Sequence, residues 1–100
     1  MMSQSVPKTI GDLPVVSWSP IDERHRVTGA CRHFDGLTGI DDPTPSFVAI
    51  VGQPENYFLM RFTKAWEFIT DTWHRSLDEA RHQAEFEYAG VSATWSEIEG

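Results

Sequence analysis

A carboxylate and an imidazole stand three residues apart in the segment Asp71-Thr-Trp-His74 of this 100-residue chain. Such a pair can act as general acid and general base, or it can bind a metal or a small molecule. The same residues also suit a strand-to-helix junction, in which the side chains of Asp71 and Thr72 accept hydrogen bonds from loop amides. The spacing leaves both interpretations open, so Asp71 and His74 form a candidate ligand-binding pair.

The single cysteine of the chain, Cys31, lies two residues before His33. Alternate residues of a strand share a face, so these two side chains form a second candidate ligand-binding pair. Zinc would need a third or fourth ligand from elsewhere in the chain. Nucleophilic catalysis would need the sulfur and the imidazole within about 3.2 Å, which alternate strand positions seldom allow. We therefore expect Cys31 to act as a small buried hydrophobic side chain.

Glu79 and His82 match the Glu-x-x-His spacing that places a carboxylate and an imidazole on one face of a helix. Di-metal sites of this type need two such motifs and further carboxylates from facing helices. The sequence supplies one motif, so a solvated helix surface explains the spacing better. Phosphate-binding loops, nucleophile elbows and zinc-protease motifs are also missing from the sequence. We expect no resident metal or cofactor, and we favour a protein that is not an enzyme.

One predicted helix must position several of these side chains, and it begins after Ser76. In the capping box Ser76-Leu-Asp-Glu79, the Ser76 hydroxyl accepts from the amide of Glu79, whose carboxylate returns to the Ser76 amide. Gly90 supplies the left-handed residue that ends many helices. An apolar stripe at helical spacing should pack on a sheet, and it comprises Leu77, Ala80, Ala84 and Tyr88.

The far side of this helix carries an aromatic side chain, Phe86, opposite the apolar stripe. Either the N-terminal arm or a loop folds over this ring, or the ring is the apolar centre of a contact patch for another protein. Residues 76–100 also hold six acidic side chains against Arg81 alone. The predicted partner-binding surface comprises Asp78, Glu79, His82, Glu85, Phe86 and Glu87.

Short segments of strand composition make up most of the remaining chain. They are residues 13–18, 27–34, 46–51, 57–63 and 66–73, followed by a last short strand within residues 91–98. The hairpin spacing of the third, fourth and fifth segments predicts an antiparallel meander. We therefore predict an α+β fold, in which an antiparallel sheet of about five strands carries one C-terminal helix packed on one face.

Composition divides the chain into two parts. Residues 1–12 are polar and contain Pro7 and Gly11, which predicts a flexible N-terminal arm. Residues 13–100 form a single predicted domain, because cores of this size usually gather about 100 to 150 residues. The N-terminal segment has no apolar run of the kind that a secretory signal needs, and residues 47–51 are far shorter than a membrane span. We therefore expect a cytoplasmic protein.

The formal net charge of −7 sets the expected partners. It disfavours direct binding to nucleic acid or to an anionic membrane, since both require clustered Lys and Arg. It favours a basic protein partner, so we expect an interaction domain, such as an inhibitor or immunity-type protein that binds a nucleic-acid-handling enzyme. The alternative is a small-molecule or metal-binding domain, conceivably an enzyme, that uses Asp71 with His74 or Cys31 with His33. A homodimer formed through a strand edge or Phe86 is the third hypothesis.

The segment TDTWHRSLDEARHQAEFEYAGVSATW at positions 70–95 is distinctive. It resembles the C-terminal half of a group of small uncharacterised bacterial proteins, in which a strand hairpin leads into a TDTWH sequence, a capped helix and a final Trp. The resemblance spans roughly residues 57–95. It implies a shared fold for this half of the chain and implies no particular chemistry.

Overall fold

The structure is a computed structural model that describes residues 6–28 and 44–97. It contains eight strands, one α-helix and one short 3-10 helix within these residues. The strands are β1 (Thr9–Ile10), β2 (Leu13–Pro20), β3 (Arg26–Val27), β4 (Phe47–Gln53), β5 (Asn56–Phe62), β6 (Phe68–His74), β7 (Tyr88–Ala89) and β8 (Ser96–Glu97). The helix α1 spans Leu77–Glu87, and the 3-10 helix spans Val91–Ala93.

The main sheet is antiparallel and has the strand order β1-β2-β4-β5-β6, while β8 also pairs with β2. The consecutive strands β4, β5 and β6 form the predicted meander. Strands β3 and β7 form a separate two-stranded ladder beside the C-terminal end of α1. The predicted α+β fold, with one helix packed on an antiparallel sheet, is confirmed.

Strand β1 lies within the segment that the sequence assigns to the N-terminal arm. Its residues pair with Pro14 and Leu13 across a two-residue turn formed by Gly11 and Asp12. Both turn residues have positive φ, 58° and 67°, which is the conformation that closes tight hairpins between twisted strands. The last part of the arm therefore joins the sheet as a short strand.

The β4–β5 hairpin turns at Pro54 and Glu55 and requires a glycine at position 52, two residues before the turn. Gly52 has a φ of 133°, and a Cβ at this position would collide with the backbone carbonyl oxygen of Asn56. Any other residue would force this turn open. The hairpin sets the register in which Gly52 lies opposite Tyr57 and Val51 lies opposite Phe58.

The helix begins as predicted but ends earlier. The Ser76 hydroxyl accepts a hydrogen bond from the Glu79 amide at 3.1 Å, which confirms the cap. The Glu79 carboxylate accepts from the amide of Arg75 at 3.4 Å, not from that of Ser76. The last helical residue is Glu87, and Gly90, with a φ of 104°, starts the 3-10 helix instead of ending α1. The chain first forms β7, because β3 provides a strand partner there.

The sheet buries apolar side chains on both of its faces. On the helix face, α1 packs through the predicted apolar stripe onto β4 and β5. This core comprises Val48, Ile50, Leu59, Ala80, Ala84, Tyr88 and Val91, with Leu77 packed against it. The opposite face, here the aromatic face, comprises Val15, Ala49, Val51 and Phe62, with Trp18, Phe47, Met60 and Trp66 packed against them. The ring of Trp66 stacks on that of Phe47 with centroids 4.4 Å apart.

Candidate functional site

The outer face of α1 presents polar and aromatic side chains away from the sheet. Asp78, Glu79 and His82 are exposed, and the ring of Phe86 is 52% exposed. These residues are on the opposite side of the helix from the buried alanines, as the helical spacing predicts. The structure thus brings four of the six residues of the predicted partner-binding surface onto one exposed face.

The ladder formed by β3 and β7 lies next to this face. The Thr28 hydroxyl donates to the backbone carbonyl of Phe86 at 2.7 Å, and the Thr28 amide donates to that of Glu87 at 3.0 Å. The neighbouring Val27 is 51% exposed. The strand is therefore fastened to the end of the helix while the Phe86 ring keeps half of its surface in solvent.

Glu85 lies at the flank of the helix and is engaged with the turn that follows. Its carboxylate accepts hydrogen bonds from the Gly90 amide at 2.9 Å, the Ser92 amide at 3.0 Å and the Ser92 hydroxyl at 2.6 Å. These bonds stabilise the charged form, so the pKa of Glu85 is lowered, with the Ser92 side chain as the largest cause. Glu85 organises the 3-10 helix and contributes charge at the edge of the surface.

Glu87 does not belong to the exposed surface, and this part of the sequence prediction is wrong. The residue is only 2% exposed, because its carboxylate pairs with the buried guanidinium of Arg61. The Arg61 Nε donates to Oε1 at 3.1 Å, Nη2 donates to Oε2 at 2.5 Å, and Gln83 donates to Oε2 at 2.6 Å. The helical spacing could have indicated this burial. Glu87 follows buried Ala80 by seven residues, almost two helical turns, so both residues are on the same side of the helix.

The polar group below the helix includes an aromatic hydroxyl. Burial raises the pKa of Tyr88 to about 12, because the ionised phenol would lie in an apolar environment beside the Arg61–Glu87 pair. Arg61 also donates to the carbonyl oxygen of Leu59 at 3.1 Å. All of these contacts are internal, so this group holds α1 on the sheet and offers no opening to a ligand.

Asp71 and His74 are not brought together. Both lie in β6, and side chains three positions apart point to opposite faces of a strand. Asp71 is opposite Met60 on the aromatic face, and His74 is opposite Tyr57 on the helix face. The proposed joint ligand site at Asp71 and His74 is therefore excluded by the strand geometry. The alternative, in which Asp71 and Thr72 accept hydrogen bonds from loop amides at a strand-to-helix junction, is also wrong, because both residues lie within β6, which continues to His74.

His74 makes a local contact on the helix face. Its Nε2 atom lies 2.8 Å from the hydroxyl oxygen of Thr72. The pKa of His74 is lowered, mainly because burial disfavours the charged imidazolium. The second predicted pair, Cys31 and His33, lies outside the described residues. Within residues 6–28 and 44–97, no group of three His, Cys, Asp or Glu side chains could hold a metal ion.

A histidine that the sequence analysis did not single out, His25, lies in a buried polar network. Its Nδ1 accepts from the Asp22 amide at 3.0 Å, and its Nε2 lies 2.8 Å from the Thr94 hydroxyl. That hydroxyl is 2.7 Å from the hydroxyl of Ser19. The order of acid, imidazole and hydroxyl resembles a catalytic triad, but Nδ1 accepts from the Asp22 backbone amide at 3.0 Å, whereas the Asp22 carboxylate is farther away, at 3.4 Å. Ser19 is also completely buried, so the network fastens the 21–25 loop to the segment after the helix.

Asp22 itself is fixed by a neighbouring cation. Its carboxylate accepts from the side chain and the backbone amide of Arg24, which lowers its pKa to about 2, the side-chain bond being the largest cause. The sequence of this loop, SPIDERH at residues 19–25, indicates only a turn. The contact with Thr94, far away in the chain, depends on the tertiary fold.

No known protein family, curated protein or solved structure matches this chain. In the part of the chain that the structure describes, no helix is both long and apolar enough to span a membrane.

Proposed function

We propose that this protein is a non-enzymatic interaction module that binds a basic protein through the outer face of α1. The observation that carries this proposal is the half-exposed ring of Phe86, with Glu79 and His82 on the same exposed face. An apolar ring within a polar rim is a typical anchor of protein interfaces. We take the docking surface to be Asp78, Glu79, His82 and Phe86, with Glu85 at its flank.

The charge of the chain supports a basic partner. The net charge is −7, so attraction to a positively charged protein would speed association and orient the two molecules. Within α1, the charge of Glu87 is compensated by Arg61, whereas the carboxylates of Asp78 and Glu79 are exposed. We propose a cytoplasmic partner that handles nucleic acid, with this protein as its inhibitor or immunity-type protein, and no direct contact with nucleic acid or membrane.

A photo-crosslinking residue at position 82 tests the proposal, with the same residue at Gln53 as a matched control in the β4–β5 hairpin. Both positions are exposed. In cells of the native host we expect position 82, but not position 53, to form an adduct with one basic protein. We expect Phe86→Ala and Glu79→Lys to abolish the adduct, and Glu55→Lys, an equal charge change in the hairpin turn, to preserve it. Equal adducts from both positions, or none from position 82, would contradict the proposal.

A further inference from the structure

Strand β6 forms one border of the main sheet. It pairs with β5 along its whole length, from Phe68 opposite Phe62 to His74 opposite Tyr57. Among the residues that the structure describes, none pairs with the other side of β6. Natural edge strands are commonly protected by Lys, Pro or a bulge, because an unprotected edge recruits further strands. The segment 70–74 contains neither residue, and the one register shift lies before it, at Phe62.

The register shows which backbone groups face the open side of β6. Gln53 and Asn56 flank a two-residue turn, so they form a close pair whose backbone groups point at each other. The Phe62 carbonyl accepts from the amide of Ser46, just before β4. Phe62 is six residues after Asn56, so even-numbered residues of β5 direct their backbone groups towards β4. The alternate residues Tyr57, Leu59 and Arg61 must then direct their backbone groups towards β6. By the same alternation, the N–H and C=O groups of Asp71 and Trp73 point to the open side.

The side chains along this edge define the kind of strand that would fit it. On the aromatic face, Phe68 is 56% exposed and Trp73 is 52% exposed, and the exposed carboxylate of Asp71 lies between them in sequence. The Trp73 indole donates to the Asn56 side chain at 3.3 Å, which orients the ring. A carboxylate and an oriented indole two residues apart on one strand face suit a cationic side chain, which gains an ion pair and a cation–π contact.

We propose that the open edge of β6 binds an extended segment of a basic protein as an additional strand. The backbone of that segment would bond to the amide and carbonyl groups of Asp71 and Trp73, and a Lys or Arg would lie against the Asp71 carboxylate and the Trp73 ring. A second copy of the chain fits this edge less well, because each copy carries a net charge of −7. The inference shares the charge of the partner with the proposed function, but it uses a different surface.

The test uses a nine-residue synthetic peptide that alternates Lys with Val, mixed with the full chain labelled for NMR. We expect shifts of the Asp71 and Trp73 amides and of the Trp73 indole, together with slowed hydrogen exchange at those two amides. Two matched peptides are the controls. One carries Glu in place of Lys, and the other keeps Lys but is N-methylated at alternate amides, which removes its edge hydrogen bonds. We expect neither control to slow the exchange.

Protein variants separate this site from the helix surface. We expect Asp71→Asn and Trp73→Ala each to weaken peptide binding by about fivefold, the effect of one exposed ion pair or cation–π contact. Asp78→Asn, which makes the same charge change on α1, and Phe86→Ala should leave peptide binding unchanged. If these two variants instead lose the peptide while Asp71→Asn keeps it, the helix surface is the binding site and the inference fails.

Two further outcomes would overturn the inference. Equal binding of the N-methylated peptide would mean attraction by charge alone without strand addition. Sedimentation that shows a dimer, with the Asp71 amide already protected from exchange before the peptide is added, would mean that a second copy occupies the edge. The absence of an adduct at position 82 would contradict only the proposed function, because the crosslinking residue lies on α1 whereas the peptide site lies on β6.

Discussion

The two faces of the sheet bury their side chains by different means. The helix face contains a charged pair, Arg61 and Glu87, that are 1% and 2% exposed and bond to each other through two hydrogen bonds. Among the residues that the structure describes, the core of the aromatic face has no charged member, and it is built from contacts between rings, such as that of Phe47 with Trp66. A buried charge is tolerated where a partner is fixed in place, and rings need only shape and area.

Acidic side chains illustrate the same difference. Glu87 lies on the helix face of the sheet, against Arg61 of β5, and Asp71 lies on the aromatic face, in β6. Glu87 is covered by the packing of α1 and pairs with Arg61, whereas Asp71 lies on the border strand and faces solvent. The carboxylate of Glu87, which α1 covers, thus stabilises the fold, whereas that of Asp71 at the edge of the sheet remains exposed to solvent.

The largest effect should come from breaking the buried pair. Glu87→Leu leaves the Arg61 guanidinium buried without a counter-ion, so we expect the free energy of unfolding to fall by about 3 to 5 kcal/mol in urea titrations. The double variant Arg61→Met with Glu87→Leu removes both charges and should recover most of that loss. A double variant as unstable as the single one would show that packing volume, not the unpaired charge, decides stability on the helix face.

A smaller loss is expected on the aromatic face. Trp66 contacts Phe47 and Phe62 with ring centroids 4.4 and 5.1 Å apart, but its own surface is only partly buried. We expect Trp66→Ala to lower the free energy of unfolding by about 2 to 3 kcal/mol, less than for a fully buried Trp. Trp66→Phe, which keeps a ring, should cost less than half as much in the same titration. Equal losses for the two variants would mean that ring contacts do not stabilise this face.

Glu85 offers a pH test on the helix side of the molecule. Its pKa is lowered in the folded state from the ordinary value of 4.5, so folding favours the charged carboxylate. This stabilisation is present above pH 4.5 and is lost as the pH falls through the lower folded value. We expect Glu85→Gln to lower the melting temperature at pH 7 and to reduce the further drop on acidification. An unchanged acid profile would show that the Gly90 and Ser92 bonds do not favour the charged form.

The smallest effect on folding should come from the exposed ring of α1. Phe86 is half exposed, so we expect Phe86→Ala to change the free energy of unfolding by no more than about 0.5 kcal/mol. The measurement is again a urea titration, with Ala84→Gly on the buried side of the helix as a contrast that should cost more. A large loss for Phe86→Ala would place this ring in the core and remove the basis for its use as a docking anchor.

Local features of the chain were sufficient to predict much of the fold. The start of α1 was predictable from Ser76, since its hydroxyl cap acts over three residues. The meander strands β4 to β6 were predictable from the alternation of apolar side chains and from their spacing. The end of α1 was not, because Gly90 fits the left-handed conformation whether it ends a helix or starts another turn, and the pairing of β3 with β7 decided which.

The candidate surface was predictable only in part, and two neighbouring residues of α1 show why. The sequence placed both Phe86 and Glu87 on the outer surface, yet one is half exposed and the other is buried. Whether a carboxylate can enter the core depends on a cation that fits it, and Arg61 lies 26 residues away in the chain. Composition and helical spacing therefore determined that this protein is an acidic α+β domain with an aromatic ring on its helix. The tertiary structure alone decided which of its charges remain in solvent, because burial depends on partners that only the folded chain brings together.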